Sequence, residues 1–154
     1  MEIKAICEPS EKRAIARRIL ESLPDWFGVE ESRERYVAQC AEQPFFAAFD
    51  GGSAVGFTCL KPTGKDTAEL AVMGVLPEYH RRGAGRLLVE RLKRAAGDAG
   101  YSFLQVKTVK MGVYEDYDRT NRFYQAMGFR EFEVFPTLWD EANPCQIYVM
   151  ALNG

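Results

Sequence analysis

Seven residues near the middle of the chain, His80-Arg81-Arg82-Gly83-Ala84-Gly85-Arg86, limit what it can fold into more than any other stretch. They follow an apolar run, Thr67–Val75, and precede a segment in which Leu88, Leu92, Ala95 and Ala99 recur at helical spacing. The expectation is a strand, a glycine turn and an amphipathic helix. A helix N-terminus carries unsatisfied N–H groups and a partial positive charge. Gly83 and Gly85 let that backbone come close to a ligand, and Arg81, Arg82 and Arg86 add cationic side chains. This combination suits a phosphate or pyrophosphate. The whole chain has 20 basic and 22 acidic residues and a net charge of −2. It therefore has no global field for nucleic acid or for an anionic membrane, and an anion must be caught by this local cluster.

Two familiar phosphate loops do not fit. A Walker A loop needs Gly-Lys-Ser/Thr at the helix start, whereas Gly64-Lys65 is followed by Asp66. A dinucleotide fingerprint needs a third glycine where Leu88 stands and an acidic residue where the next strand ends in Val109-Lys110. The rest of the chain reads β-α-α-β-β-β-α-β-α-β-β. Met1–Cys7 is a strand, and Ser10 caps a helix that carries Ile15, Ile19, Leu20 and Leu23 and ends at Pro24. Asp25–Gly28 is an aromatic loop, and Glu30–Gln43 a second helix. Phe45–Asp50 and Ser53–Leu60 form a hairpin about Gly51-Gly52, and Thr67–Val75 is the next strand. A helix follows over Gly85–Ala99, then a strand over Phe103–Val109, then a helix Arg119–Met127 capped by Asp118. Strands Glu131–Phe135 and Gln146–Leu152 flank a loop containing Leu138–Glu141. The fold class is α/β: a mixed, mostly antiparallel sheet flanked by helices, in one domain over residues 1–154.

No apolar run approaches the roughly 18 residues of a membrane span. The four cysteines form no CxxC pair and His80 is the only histidine, which argues against a metal site and for free thiols in the cytoplasm.

The segment Leu-Pro-Glu-Tyr-His-Arg-Arg-Gly-Ala-Gly-Arg-Leu-Leu, residues 76–88, resembles the acyl-CoA pyrophosphate loop of the GNAT superfamily of N-acetyltransferases. The family pattern is Gln/Arg-x-x-Gly-x-Gly/Ala after a strand ending Val-x-Pro. Val75-Leu76-Pro77 supplies that strand end, and His80 stands at the Gln/Arg position. Downstream, Phe123-Tyr124-Gln125-Ala126-Met127-Gly128-Phe129 resembles the family's Phe-Tyr-x-x-x-Gly-Phe helix. The resemblance implies acetyl-CoA as cosubstrate, no metal, and direct transfer to a primary amine. A small-molecule amine is favoured over a protein, and paired protomers are an arrangement the family offers. It implies that Tyr124 protonates the departing thiolate. It also implies that the backbone of Met73 and Val75 meets the acetyl carbonyl and the pantetheine arm, where the family sheet splays and Gly74 marks the bend. Tyr117 occupies the family's asparagine position, and Asn121, one turn before Tyr124, is the substitute CoA contact.

Glu69 lies 14 positions before Gly83, the spacing of the glutamate base in histone-acetylating members. By the strand period of two, Glu69, Ala71, Met73 and Val75 share one face. The other reading of Glu69 is a solvated strand carboxylate, and that of Tyr124, less favoured than the acid role, is a core aromatic. Trp26, Phe27, Tyr114, Tyr117 and Trp139 suggest an aromatic acceptor pocket, with Glu115, Asp116 and Asp118 as an acidic run beside it. The alternative to an enzyme is a non-catalytic acyl-CoA-binding sensor, against which the presence of both Glu69 and Tyr124 argues.

Overall fold

The β-branched and aromatic runs pair into one seven-stranded sheet, in a computed structural model that describes residues 1–152. The last two residues of the expected domain lie outside the described residues. The strands are β1 (Glu2–Ile6), β2 (Phe45–Asp50), β3 (Ser53–Pro62), β4 (Thr67–Val75), β5 (Phe103–Val109), β6 (Arg130–Asp140) and β7 (Asn143–Ala151). Their spatial order is β1-β2-β3-β4-β5-β7-β6, and every neighbouring pair is antiparallel except β4–β5.

The helices are α1 (Pro9–Glu21), the single turn α2 (Pro24–Phe27), α3 (Glu30–Cys40), α4 (Ala84–Asp98) and α5 (Glu115–Ala126). One face of the sheet is covered by α4 and α5. Leu88, Val89, Leu92 and Ala96 of α4 meet Leu70, Leu104, Val106, Tyr124 and Tyr148 there. The other face is covered by α1 and α3, whose Ile15, Ile19, Leu20, Val37 and Cys40 meet Phe45, Phe57, Cys59 and Val72. Each fully buried aliphatic side chain of this kind contributes roughly 1.5–3 kcal/mol. Leu88, with no exposure, is therefore a position where truncation to Ala costs about 2–5 kcal/mol.

Several element ends differ from expectation. α1 starts at Pro9, with Glu8 rather than Ser10 at the N-cap, because proline is pre-set for the first helical position. Asp25–Phe27 is helical, not loop. α5 begins at Glu115, three residues before the expected cap Asp118. The Asp118 carboxylate instead accepts a hydrogen bond from the Gly112 N–H at 2.7 Å. β6 runs through Pro136 to Asp140, taking in Leu138 and Trp139. It is the sheet's edge strand, where a missing N–H is tolerated.

Two irregularities of β4 create the site. Its parallel pairing with β5 is confined to Thr67↔Phe103, Ala68↔Leu104 and Glu69↔Gln105, after which the strands diverge. Its register with β3 jumps between Cys59↔Val72 and Leu60↔Leu70, so Ala71 is an extra, bulged residue. One extra residue reverses which side every later side chain faces. Ala68 and Leu70 point toward α4, and so do Met73 and Val75, whereas Ala71 and Val72 pack toward α1 and α3. Glu69 and Met73 therefore lie on opposite faces, correcting the expectation that Glu69, Ala71, Met73 and Val75 share one. The bend lies at this bulge rather than at Gly74, where a Cβ would sit 3.0 Å from Ile19 of α1.

Candidate active site

The glycine turn is stabilised by backbone geometry. Gly83 is the N-cap of α4 with φ +90°, and nothing lies within 4 Å of the place its Cβ would occupy. The first intrahelical bond is from Leu87 N–H to the Gly83 carbonyl, so the preceding N–H groups of the turn point outward. Arg81 also adopts a left-handed conformation, φ +63°, unusual for a residue with a Cβ and a sign of local strain. Arg81, Arg82 and Arg86 are exposed and form no ion pair among the described residues. Arg82 rests over the Tyr79 ring at 5.3 Å, and Tyr79 donates to Asp50 at 2.6 Å. Gly85 serves packing rather than ligand approach, because a Cβ there would meet the Phe123 ring of α5 at 3.1 Å. Ala84, 1% exposed, is part of the core beneath the turn.

Beyond Glu69 the β5-facing edge of β4 has no strand partner. Leu76 N–H donates to Val55 on β3 at 2.8 Å. The carbonyl of the same peptide, that of Val75, must then point the other way, into the opening between β4 and β5. By the alternation of a strand, the N–H and C=O of Met73 face the same opening. The Val75 carbonyl is occupied by a side chain: the Nε2 of His80 lies 2.8 Å from it. The His80 ring also meets Trp26 of α2 edge-on, centroids 6.0 Å apart.

The other wall is built from side chains of distant segments. Glu69, 6% exposed, forms an ion pair with Lys107 at 3.0 Å and accepts from Gln105 Nε2 at 3.0 Å. Both partners are on β5, and neither was anticipated from sequence, although the β5 alternation puts Gln105 and Lys107 on one face. Tyr36 of α3 packs edge-on against Phe27 at 5.7 Å, and Tyr117 of α5 approaches the Trp26 carbonyl at 3.3 Å. Burial, then the nearby Glu69 charge, pushes the Tyr36 phenol up, and burial likewise raises Tyr117. Tyr114 and Tyr117 are 6.0 Å apart at the rim. Trp139 is exposed on the edge strand β6. The acidic run is largely self-compensated, with Arg119 pairing to Glu115 at 3.6 Å and to Asp116.

Tyr124 is buried among Phe123, Phe129 and Tyr148, and burial pushes its phenol strongly up, so it carries its proton at neutral pH. Asn121 has no exposure. It donates to the carbonyls of Val109 at 2.8 Å and Tyr117 at 2.7 Å, and accepts from Tyr148 at 2.6 Å. One donor ties α5 to β5 and the other bonds back to a carbonyl of α5 itself, so both are engaged within the protein. Cys145 lies beside the Glu69–Lys107 pair, and burial raises its thiol to about 11.

The sequence of residues 13–129 matches the model of the acetyltransferase (GNAT) family. An uncharacterised N-acetyltransferase of Chlorobaculum tepidum is 29% identical over 104 residues, and the matched stretch is 66% of this chain and 61% of that protein. Among solved structures, a GNAT-family protein of Desulfovibrio desulfuricans superposes with a TM-score of 0.86 at 20% identity over 99% of each chain. An aminoglycoside 6′-N-acetyltransferase complexed with coenzyme A gives 0.81 at 18% identity, over 100% of this chain and 98% of that one. The aminoglycoside 6′-N-acetyltransferase from Enterococcus faecium gives 0.80 at 17% with the same coverage. At these identities the likeness is one of fold.

Proposed function

This chain belongs to the GNAT acetyltransferase family, and on that premise we propose that it transfers the acetyl group of acetyl-CoA to a primary amine of a small molecule. The observation that carries the reading is the opening after Glu69↔Gln105. There the free edge of β4 lies between a cationic helix start and a buried carboxylate.

The chemistry present fits acetyl-CoA. The outward N–H groups at the start of α4, with Arg81, Arg82 and Arg86, suit the pyrophosphate. The backbone of Met73 and Val75 suits the amides of an extended arm, and a free N–H there holds the oxyanion as it develops. An alkylamine has a pKa near about 10, so the acceptor arrives protonated. Glu69 takes that proton. The amine nitrogen then bonds to the acetyl carbon, the carbon–sulfur bond breaks, and the Tyr124 hydroxyl gives its proton to the sulfur. The second proton lost from the nitrogen as the amide forms replaces the one Tyr124 gave, and the one on Glu69 passes to solvent. Transfer is direct, because the thiol beside the site, Cys145, is held protonated with a pKa near 11 and is a poor nucleophile. The raised phenols of Tyr36 and Tyr117 are protonated too, which leaves Glu69 as the base. The ring faces of Trp26, Phe27, Tyr36 and Tyr117 suit an organic amine, and the aminoglycoside N-acetyltransferases of like fold point to small acceptors.

The test is a panel of monoamines, diamines and aminoglycosides with acetyl-CoA, following release of free thiol. The expected result is amine-dependent release for at least one class. Release at the acceptor-free rate throughout the panel overturns the reading.

A further inference from the structure

Glu69 is held by one oxygen only. The Lys107 Nζ and the Gln105 Nε2 both reach Oε1, each at 3.0 Å, while Oε2 accepts no hydrogen bond among the described residues. Oε2 is also not sealed in the core, since it is absent from the buried polar atoms that lack a partner. Gln105 is itself fixed, its Nε2 being 3.2 Å from Thr63 Oγ1 on the loop after β3. The Glu69 side chain is 8% exposed and that of Lys107 28%, so the pair sits at the floor of the cleft with the ammonium toward its open side.

Resting on the acetyltransferase reading above, we infer that Lys107 and Gln105 are positioning residues: they pin Glu69 through Oε1 and present Oε2 to the acceptor's ammonium. The two devices act differently. Gln105 fixes the carboxylate plane by a neutral hydrogen bond. Lys107 adds a compensating positive charge 3.0 Å from a carboxylate that is largely withdrawn from water. The same ammonium disfavours a second positive charge beside it, so it also weakens the protonated form of the incoming amine. The proton then moves from the acceptor nitrogen to Oε2 while Lys107 keeps its own. The other groups facing Glu69 do not substitute. The Tyr36 phenol from α3 and the Cys145 thiol from β7 are protonated, and Lys61, its cross-strand neighbour on β3, forms no ion pair with it.

The first measurement needs no acceptor. The side-chain carboxyl carbon of Glu69 is titrated by NMR in the full chain labelled at glutamate, and assigned by its loss in Glu69→Gln. Lys107→Met should move the midpoint to higher pH by about one unit or more. Lys107→Arg should keep it near wild type, and Gln105→Leu should raise it by less. In the second, acetyl-CoA and tyramine are the probes. Lys107→Met should lower kcat and move the acid limb of kcat/KM upward by the same amount. It should leave KM for acetyl-CoA unchanged, and Lys107→Arg should restore the rate. Absence of wild-type turnover with tyramine and with the wider amine panel would undo the acetyltransferase reading alone, since the NMR titration still decides the pairing. A Glu69 midpoint that is the same in wild type, Lys107→Met and Gln105→Leu overturns the inference.

Discussion

The two sides of the opening between β4 and β5 are built from different materials. The side assigned to acetyl-CoA is mostly backbone: the left-handed Gly83, the N–H groups starting α4, and the unpaired edge of Met73 and Val75. The side assigned to the acceptor is mostly side chain: Glu69 from β4, Gln105 and Lys107 from β5, Tyr36 from α3, Trp26 from α2 and Tyr117 from α5. A backbone site requires a few residues that permit a conformation, and those are neighbours in sequence. A side-chain site requires five segments to arrive together. On the proposed reading the first is a general holder for one cosubstrate, and the second can be rebuilt for a new acceptor without disturbing it.

That division predicts separable failures, and the largest effect belongs to the side-chain wall. Glu69→Gln keeps the shape and one hydrogen-bonding oxygen but cannot take a proton. Its kcat should fall by roughly 10²–10⁴ while CoA affinity by calorimetry stays at the wild-type value. Tyr124→Phe should show the same pattern, because a buried phenol held protonated is placed to donate and not to bind. A parallel fall in CoA affinity in either variant would show that the two sides are one site.

The next effect lies on the backbone side. Arg82→Glu removes an unpaired cation beside the helix start and puts an anion there. Hydrogen bonds to charged groups are worth about 1.5–3 kcal/mol, so CoA should bind roughly 10–100-fold more weakly. The acceptor's KM at saturating acetyl-CoA should not change. Unaltered CoA affinity would remove the phosphate role from the loop.

How much of this was legible in the sequence follows the same division. β4 and β5 have the limits that their apolar runs give, Thr67–Val75 and Phe103–Val109. The turn at Gly83 was legible because glycine is the residue that occupies φ +90° without strain. The bulge at Ala71 was not, since no glycine or proline marks it and strand periodicity carries straight through. It put Glu69 and Met73 on opposite faces, which no local pattern could reveal. Lys107 and Gln105 carry no local signal either, being polar residues in the strand Phe103–Val109. Their meaning depends on β5 lying parallel to β4 in one register, with Glu69 opposite Gln105. Asn121 misled for a related reason: its motif position suggested a ligand contact, while its burial and three partners make it a tie between elements.

The two glycines of the loop separate the backbone side further. Gly83→Ala forces a Cβ into a left-handed conformation, at about 1–2 kcal/mol, and leaves open space around it. Gly85→Ala drives a Cβ against Phe123 on α5, an overpacking worth about 1–3 kcal/mol unless the ring shifts. Both should lower Tm, by some 2–4 °C per kcal/mol at this size. Only the second should also change kcat, because it pushes on the helix that carries Tyr124. If Gly85→Ala leaves kcat unchanged, α5 is not coupled to the turn.

The smallest effect lies where the two sides touch. His80 occupies the Val75 carbonyl at 2.8 Å, and its ring leans on Trp26 of the acceptor wall. An extended arm that pairs with the β4 edge must take that carbonyl from His80, losing one protein hydrogen bond for each one it gains. The net worth of such a bond is about 0.5–1.5 kcal/mol. His80→Ala should therefore tighten CoA binding by roughly 2–10-fold, opposite in sign to Arg82→Glu. The gain should be absent for 3′-phospho-ADP, which keeps the pyrophosphate and lacks the pantetheine arm. An equal gain with both ligands would mean that His80 acts on the phosphate loop rather than on the edge of β4. Trp26 supplies a second reading. In a Trp139→Phe background its fluorescence should change when CoA binds to the protein with His80 and change less in His80→Ala, because the ring leaning on it is then already gone.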